Sequence, residues 1–223
     1  MKKEVIMKPR ICAVIINKDL KAARKIEPFV ELFEVRIDLI GNGWPDLAKQ
    51  LKKPWIACNR KDTEGGRWEK DEAGRIEELI KAVELGANIV DIELRTENLE
   101  KAIPLIKKRA KCLVSLHELK KTPPLNRLKE IVHRQLDAGA DICKVITTAQ
   151  SFEDNLTTLQ LIAEFPKIKV VSFAMGPLGF TSRIFCPLVG GYFTYASIGE
   201  GRESAPGQIT VSRLSKIYGM MTA

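Results

Sequence analysis

Eight short runs rich in β-branched and apolar residues recur along this chain, and their spacing constrains the fold more than any other feature. They are ICAVII (11–16), FEVRIDLI (33–40), PWIACNR (54–60), NIVDIELR (88–95), CLVSLHEL (112–119), DICKVITT (141–148), KVVSFAM (169–175) and YFTYASI (192–198). Stretches with helical spacing stand between several of them. Ile76, Leu79, Ile80 and Val83 precede Gly86, and Leu125, Leu128, Ile131, Val132 and Leu136 precede Gly139; glycine is favoured just past a helix C-terminus. Strand, helix, strand at this interval predicts parallel pairing through right-handed crossovers. No Ser/Gly-rich linker divides the chain, so residues 1–223 are expected to form one compact domain.

Eight parallel strands fit either a doubly wound sheet or a closed barrel, and the polar residues inside the strands separate the two. Phe33, Val35, Ile37 and Leu39 alternate with Glu34, Arg36 and Asp38, and Val90, Ile92 and Leu94 alternate with Asp91, Glu93 and Arg95. Strands of an open parallel sheet lie under helices on both faces and read as continuous apolar runs. A barrel gives each strand one helix-facing side and one lumen-facing side, and polar lumen residues near the C-terminal mouth build its active site. The sequence therefore predicts an α/β protein with a (β/α)8 TIM barrel, compact at 223 residues.

Composition narrows the class of partner. A chain that is 45% hydrophobic and 29% charged lies far from the disordered regime and can bury its own core. The net charge of +8 suits anionic partners from nucleic acid to a small carboxylate. Lysines and arginines are dispersed among glutamates, with no basic stripe interleaved with aromatics, so a solvated surface is favoured over a nucleic-acid interface. The five cysteines (12, 58, 112, 143, 186) are odd in number, include no C-x-x-C pair, and read as core thiols of a reducing compartment. Two histidines leave little material for a metal site, and none is expected. The N-terminal stretch MKKEVIMKPR lacks the apolar segment of a signal peptide, and no run reaches the ~18 apolar residues that span a bilayer. A cytoplasmic protein with no membrane partner is expected.

Three groups of residues carry candidate chemistry. Lys144 sits among Ile142, Cys143, Val145 and Ile146. Burying an ammonium there is costly, which favours the free amine and makes it a nucleophile for a ketone or aldehyde. The plain alternative is a strand-end lysine that reaches solvent along its stem. His117 shares a strand face with Leu113 and Ser115, on the strand before the one bearing Lys144. Neighbouring strands lie about 4.8 Å apart, so the two side chains can address one small substrate. His133, within a helical pattern, reads as structural or exposed. In NRKDTEGGRW, Arg60 closes a strand and the Gly65-Gly66 pair permits a tight turn that brings Glu64 back over the mouth to orient an imidazole. MGPLGFTSR and ESAPGQ form two further loops. The first offers Arg183 to a carboxylate; the second carries Ser204 and Gln208 on a mobile lid.

Taken in order, EVRID (34–38), NRKDTEGGRW, DIEL (91–94), SLHEL (115–119), CKVITTAQ with its following S-x-x-D-N-L helix, MG-x-x-G-x-x-SR (175–183) and SAPGQ (204–208) resemble the type I 3-dehydroquinate dehydratase family. The resemblance implies a (β/α)8 barrel that converts 3-dehydroquinate to 3-dehydroshikimate and water in the shikimate pathway, with no cofactor. It implies that Lys144 forms a Schiff base, that His117 is the general acid and base, and that Glu64 orients His117. Glu34, Arg36, Arg60, Met175, Arg183, Ser204 and Gln208 would hold the substrate. Family members are often dimers, so a homodimer is the assembly it admits. Before SAPGQ, the segment IGEGRE (198–203) is longer and more charged than in enteric-type members, which leaves the lid roles of Arg202 and Glu203 open. Another class I Schiff-base barrel, an aldolase or transaldolase, shares the strand lysine, but SLHEL and SAPGQ argue against it. A basic nucleic-acid-binding protein accounts for the charge but not for the polar strand faces.

Overall fold

A computed structural model describes residues 8–69 and 71–222. Residues 1–7, which make up most of the basic N-terminal stretch read as lacking a signal peptide, lie outside the described residues.

The eight strands form where the sequence places them: β1 Ile11–Ile15, β2 Leu32–Arg36, β3 Trp55–Cys58, β4 Ile89–Glu93, β5 Lys111–His117, β6 Ile142–Thr148, β7 Val170–Met175 and β8 Thr194–Ser197. The helices between them are α1 Leu20–Ile26, α2 Ile37–Ile40, α3 Trp44–Ala48, α4 Glu72–Glu84, α5 Leu99–Ile106, α6 Leu125–Asp137, α7 Glu153–Glu164, α8 Phe180–Phe185 and α9 Val211–Thr222. All strands pair in parallel in the order β7-β6-β5-β4-β3-β2-β1-β8. The sheet curls into a nearly closed (β/α)8 barrel, and at the β7/β8 seam the Tyr192 N–H donates to the Val170 carbonyl at 2.8 Å.

Side-chain alternation explains the burial. Val35, Val90, Ile92, Val114 and Ala196 pack outward under the helices in one apolar shell. Cys12, Val14, Leu32, Ile56, Ile89 and Leu113 belong to a second cluster, with Ile142 and Val171 on the later strands. The predicted glycine stops are observed: Gly86 (φ 94°) and Gly139 (φ 97°) follow α4 and α6. In each case the next residue's N–H reaches back five positions, Ala87 to Ala82 and Ala140 to Gln135, which closes the last helical turn. All five cysteines are free and buried. Among the described residues no helix is long and apolar enough to cross a membrane.

Most strand ends differ from the sequence reading by one or two residues, and two of the differences bear on the site. The second apolar run does not continue as a strand to residue 40: β2 ends at Arg36 and Ile37–Ile40 is a helical turn. Strand propensity and apolar character are alike in both halves of this run; the turn closes on itself where the Gly41 N–H, at φ 68°, donates to the Ile37 carbonyl, and Asp38 Oδ2 accepts from the Arg67 N–H at 3.1 Å. β3 ends at Cys58, so Arg60 lies two residues past the strand instead of closing it.

Candidate active site

The C-terminal ends of the strands surround a cavity of about 250 Å³. Its lining contains all ten residues singled out from the sequence: Glu34, Arg36, Arg60, Glu64, His117, Lys144, Met175, Arg183, Ser204 and Gln208.

Lys144 is 5% exposed, so it does not run out to solvent. The expected apolar setting is only half right. Its neighbours Cys143 and Val145 are buried, but strand alternation turns them to the opposite face, and Nζ meets carboxylates instead: Asp91 at 2.8 Å and Glu34 at 3.9 Å. Nζ also lies 4.4 Å from the centre of the Tyr195 ring. Asp91 is held well below the usual carboxylate range: burial pushes it up, but Arg60 and Lys144 outweigh that.

β5 pairs with β6 so that Ser115 lies opposite Lys144 and His117 opposite Ile146, one step nearer the mouth. The Glu64 turn folds back as its glycines allow. Gly65 adopts φ 81°, and Gly66 packs so closely on the Arg60 carbonyl that a side chain there would collide with it. Glu64 Oε2 then accepts from the His117 backbone N–H at 3.0 Å and lies 3.1 Å from Nδ1. Burial, reinforced by the cations Arg60 and Lys144, pushes His117 well below its ordinary value, so the imidazole is uncharged. Burial also lifts the Glu64 carboxyl to about 7, against the partial opposition of Arg60. An uncharged imidazole whose Nδ1–H donates to an ionised Glu64 presents Nε2 as a proton acceptor.

Next to β6, on the β7 side of the cavity, stands Arg183. It lies on the short helix α8, not on a loop as read from MGPLGFTSR, and is 2% exposed. Its guanidinium stacks 4.3 Å over the Phe173 ring, while Nε and Nη2 have no hydrogen-bond partner. Burial lowers it to about 10. A buried, unpaired guanidinium is a receptor for a bidentate anion. The SAPGQ loop caps the cavity: the Gly176 N–H donates to the Pro206 carbonyl at 3.3 Å, and Gln208 Oε1 accepts from the Ser204 N–H at 2.7 Å. Arg202, whose part in the lid the sequence left open, pairs with Asp19 at 2.7 Å, and Glu203 accepts from the Gly201 N–H at 3.2 Å.

Several groups behind the lining were not assigned from sequence. Asp91 and Glu93 appeared only as a polar stripe and within DIEL. They grip Arg60 at 2.6 and 3.1 Å, and Ser115 bridges Arg60 and Asp91 at 2.7 and 2.6 Å. Asp38 holds Arg36 with two bonds of 2.9 and 2.7 Å. Arg60 and Arg36 are thus tied into the protein as well as lining the cavity. Glu34, Cys58 and Asp91 bring three potential metal donors within 4.8 Å, but Asp91 is already engaged by two cations. His133 is exposed and stacks edge-on against Phe165, away from the site.

A parallel (β/α)8 barrel with a primary amine and an uncharged imidazole on adjacent strands at its mouth defines a barrel enzyme of carbonyl chemistry. The chain belongs to the type I 3-dehydroquinase family, whose model matches residues 11–223. It is 43% identical over 210 residues to a 3-dehydroquinate dehydratase of Dehalococcoides mccartyi, covering 94% of this chain and 95% of that protein. It is 36% identical to the Methanocaldococcus jannaschii 3-dehydroquinate dehydratase, covering 92% and 94%. The crystal structure of the Geobacillus kaustophilus 3-dehydroquinate dehydratase superposes with a TM-score of 0.85 at 26% identity, covering 97% of this chain and 92% of that one.

Proposed function

We propose that this chain converts 3-dehydroquinate to 3-dehydroshikimate and water through a Schiff base on Lys144. The observation that carries the reading is a buried amine at the barrel mouth, 2.8 Å from Asp91, lining the same cavity as an unpaired buried guanidinium. The Lys144 amine attacks the C3 ketone, water leaves, and an iminium forms. The iminium acidifies the C2–H bond; Nε2 of His117 takes that proton and the electron pair becomes an enamine. The enamine expels the C1 hydroxyl, which His117 protonates, and hydrolysis of the iminium frees the product ketone and the amine. Glu64 keeps His117 in the productive tautomer. Arg183 takes the substrate carboxylate, and Glu34, Arg36, Arg60, Ser204 and Gln208 position the remaining oxygens, with Met175 against the ring.

Borohydride added with 3-dehydroquinate should leave a reduced adduct on the peptide containing Lys144, and Lys144→Ala should lose adduct and turnover together. Folded wild-type protein that yields no adduct sinks the covalent route. The same reading carries a cytoplasmic setting, supported by the five free thiols, and a homodimer. Exposed Phe152, which caps α7, and Leu156 in its first turn, 66% and 67% accessible, supply an apolar face for the second copy. Sedimentation at micromolar concentration should give twice the monomer mass, and a monomer there removes the dimer.

A further inference from the structure

The charged chain behind Lys144 does not stop at the lumen. Asp91 grips Arg60, and Arg60 grips Glu93 Oε1 at 3.1 Å. Glu93 Oε2 in turn accepts from Arg75, which projects from α4 outside the barrel wall. Arg75 is fully buried and every guanidinium N–H has an acceptor. Nε and Nη2 take the two oxygens of Glu72 at 2.9 and 3.0 Å, Nη1 takes the Asn59 carbonyl at 3.0 Å and Glu93 at 2.5 Å, and Nη2 also takes Thr96 Oγ1 at 2.8 Å. Arg75 does not line the cavity.

Three buried cations, Lys144, Arg60 and Arg75, face three buried carboxylates, Glu34, Asp91 and Glu93. Without Arg75, Glu93 loses its strongest partner and competes with Asp91 for Arg60. A shift of Arg60 toward Glu93 alters the hold of Asp91 on Lys144, two ion pairs away from the change. We infer that Arg75 is a positioning residue for the reaction: with Glu72 it fixes Glu93, and through Arg60 and Asp91 it fixes the amine of Lys144.

This inference rests on the Schiff-base reading, so the test counts active sites by borohydride trapping and reports turnover per trapped site. Arg75→Met should lower kcat per trapped site by about 10- to 100-fold, the cost of a misplaced group remote from the chemistry, with KM changed less than about threefold. Arg75→Lys should recover part of the loss, because an ammonium still reaches Glu93 but cannot hold Glu72, Asn59 and Thr96 together. Adding Glu93→Gln to Arg75→Met removes the unbalanced charge, so the two losses should be less than multiplicative. A purely structural role would reduce the trapped fraction and leave kcat per site unchanged; that result, or losses that multiply, overturns the inference. Should Arg75→Met fail to fold, Glu72→Gln loosens the same clamp from its partly exposed end and should lower kcat per site by about two- to fivefold; no change there is equally decisive. A wild-type protein that traps nothing instead defeats the Schiff-base reading itself.

Discussion

On the wall built by β3 to β6, Lys144 and Arg60 each meet Asp91 within 2.8 Å, whereas on the β7/β8 side Arg183, no less buried, leaves Nε and Nη2 without acceptors. The paired wall is rigid before any ligand arrives, because each charge is already fixed by its neighbours. The unpaired wall carries a standing cost of roughly several kcal/mol for a desolvated cation, relieved only when an anion enters. One side of the cavity is organised for bond making and the other for capture. The sheet reflects the division, since the paired wall is a continuous ladder and the β7/β8 seam is its open edge.

Substitutions can test this division. The largest effect should come from the paired wall: His117→Ala should lower kcat about 100- to 10,000-fold while the borohydride-trapped imine still accumulates. Unchanged turnover would remove His117 from proton transfer. On the unpaired wall, Arg183→Ala should act on capture, raising KM about 30- to 1000-fold with a much smaller change in kcat. A loss confined to kcat would erase the distinction between the walls.

Of the three lining substitutions, Glu64→Gln should have the smallest kinetic effect and the most informative pH dependence. Below about 7 the carboxyl holds its own proton and donates to Nδ1, which leaves Nε2 protonated and unable to accept. Wild-type kcat should therefore rise with pH through about 7, and the variant should lose that limb along with about tenfold in rate. Stability moves the other way. The folded carboxyl is raised from the usual 4.5 to about 7, so its contribution is intact below 4.5 and declines as pH climbs to 7. At pH 8 the variant should be more stable by about 1–3 kcal/mol, less what the weakened bond to the His117 N–H costs, and at pH 4 the gain should vanish. Denaturant melts at both pH values check the sign.

The barrel was legible because β-strand alternation is local: Glu34, Arg36, Asp91 and Glu93 fall on one face by counting in twos. The ten lining residues could be named because their motifs stand in family order. What lay behind them could not be read. Arg75, in the helical pattern RIEELI, looks like any surface arginine, and only the packing of α4 on β4 brings it to Glu93. Lys144 looked apolar because its sequence neighbours are, though those neighbours face the other way. The helical turn at Ile37–Ile40 was hidden because its apolar residues suit a strand equally well, and its Asp38 meets the Arg67 N–H only in the folded chain.

The same alternation limits how this protein can change over evolutionary time. Lys144 in β6, Asp91 in β4 and Ser115 with His117 in β5 face the lumen only through the parity of their positions. Exchanging one apolar residue for another on the helix-facing side disturbs packing locally, but gaining or losing a single codon inside β6 would send Lys144 under a helix and Cys143 or Val145 into the cavity. Length variation should therefore collect in the loops, while strand lengths between lumen residues stay fixed.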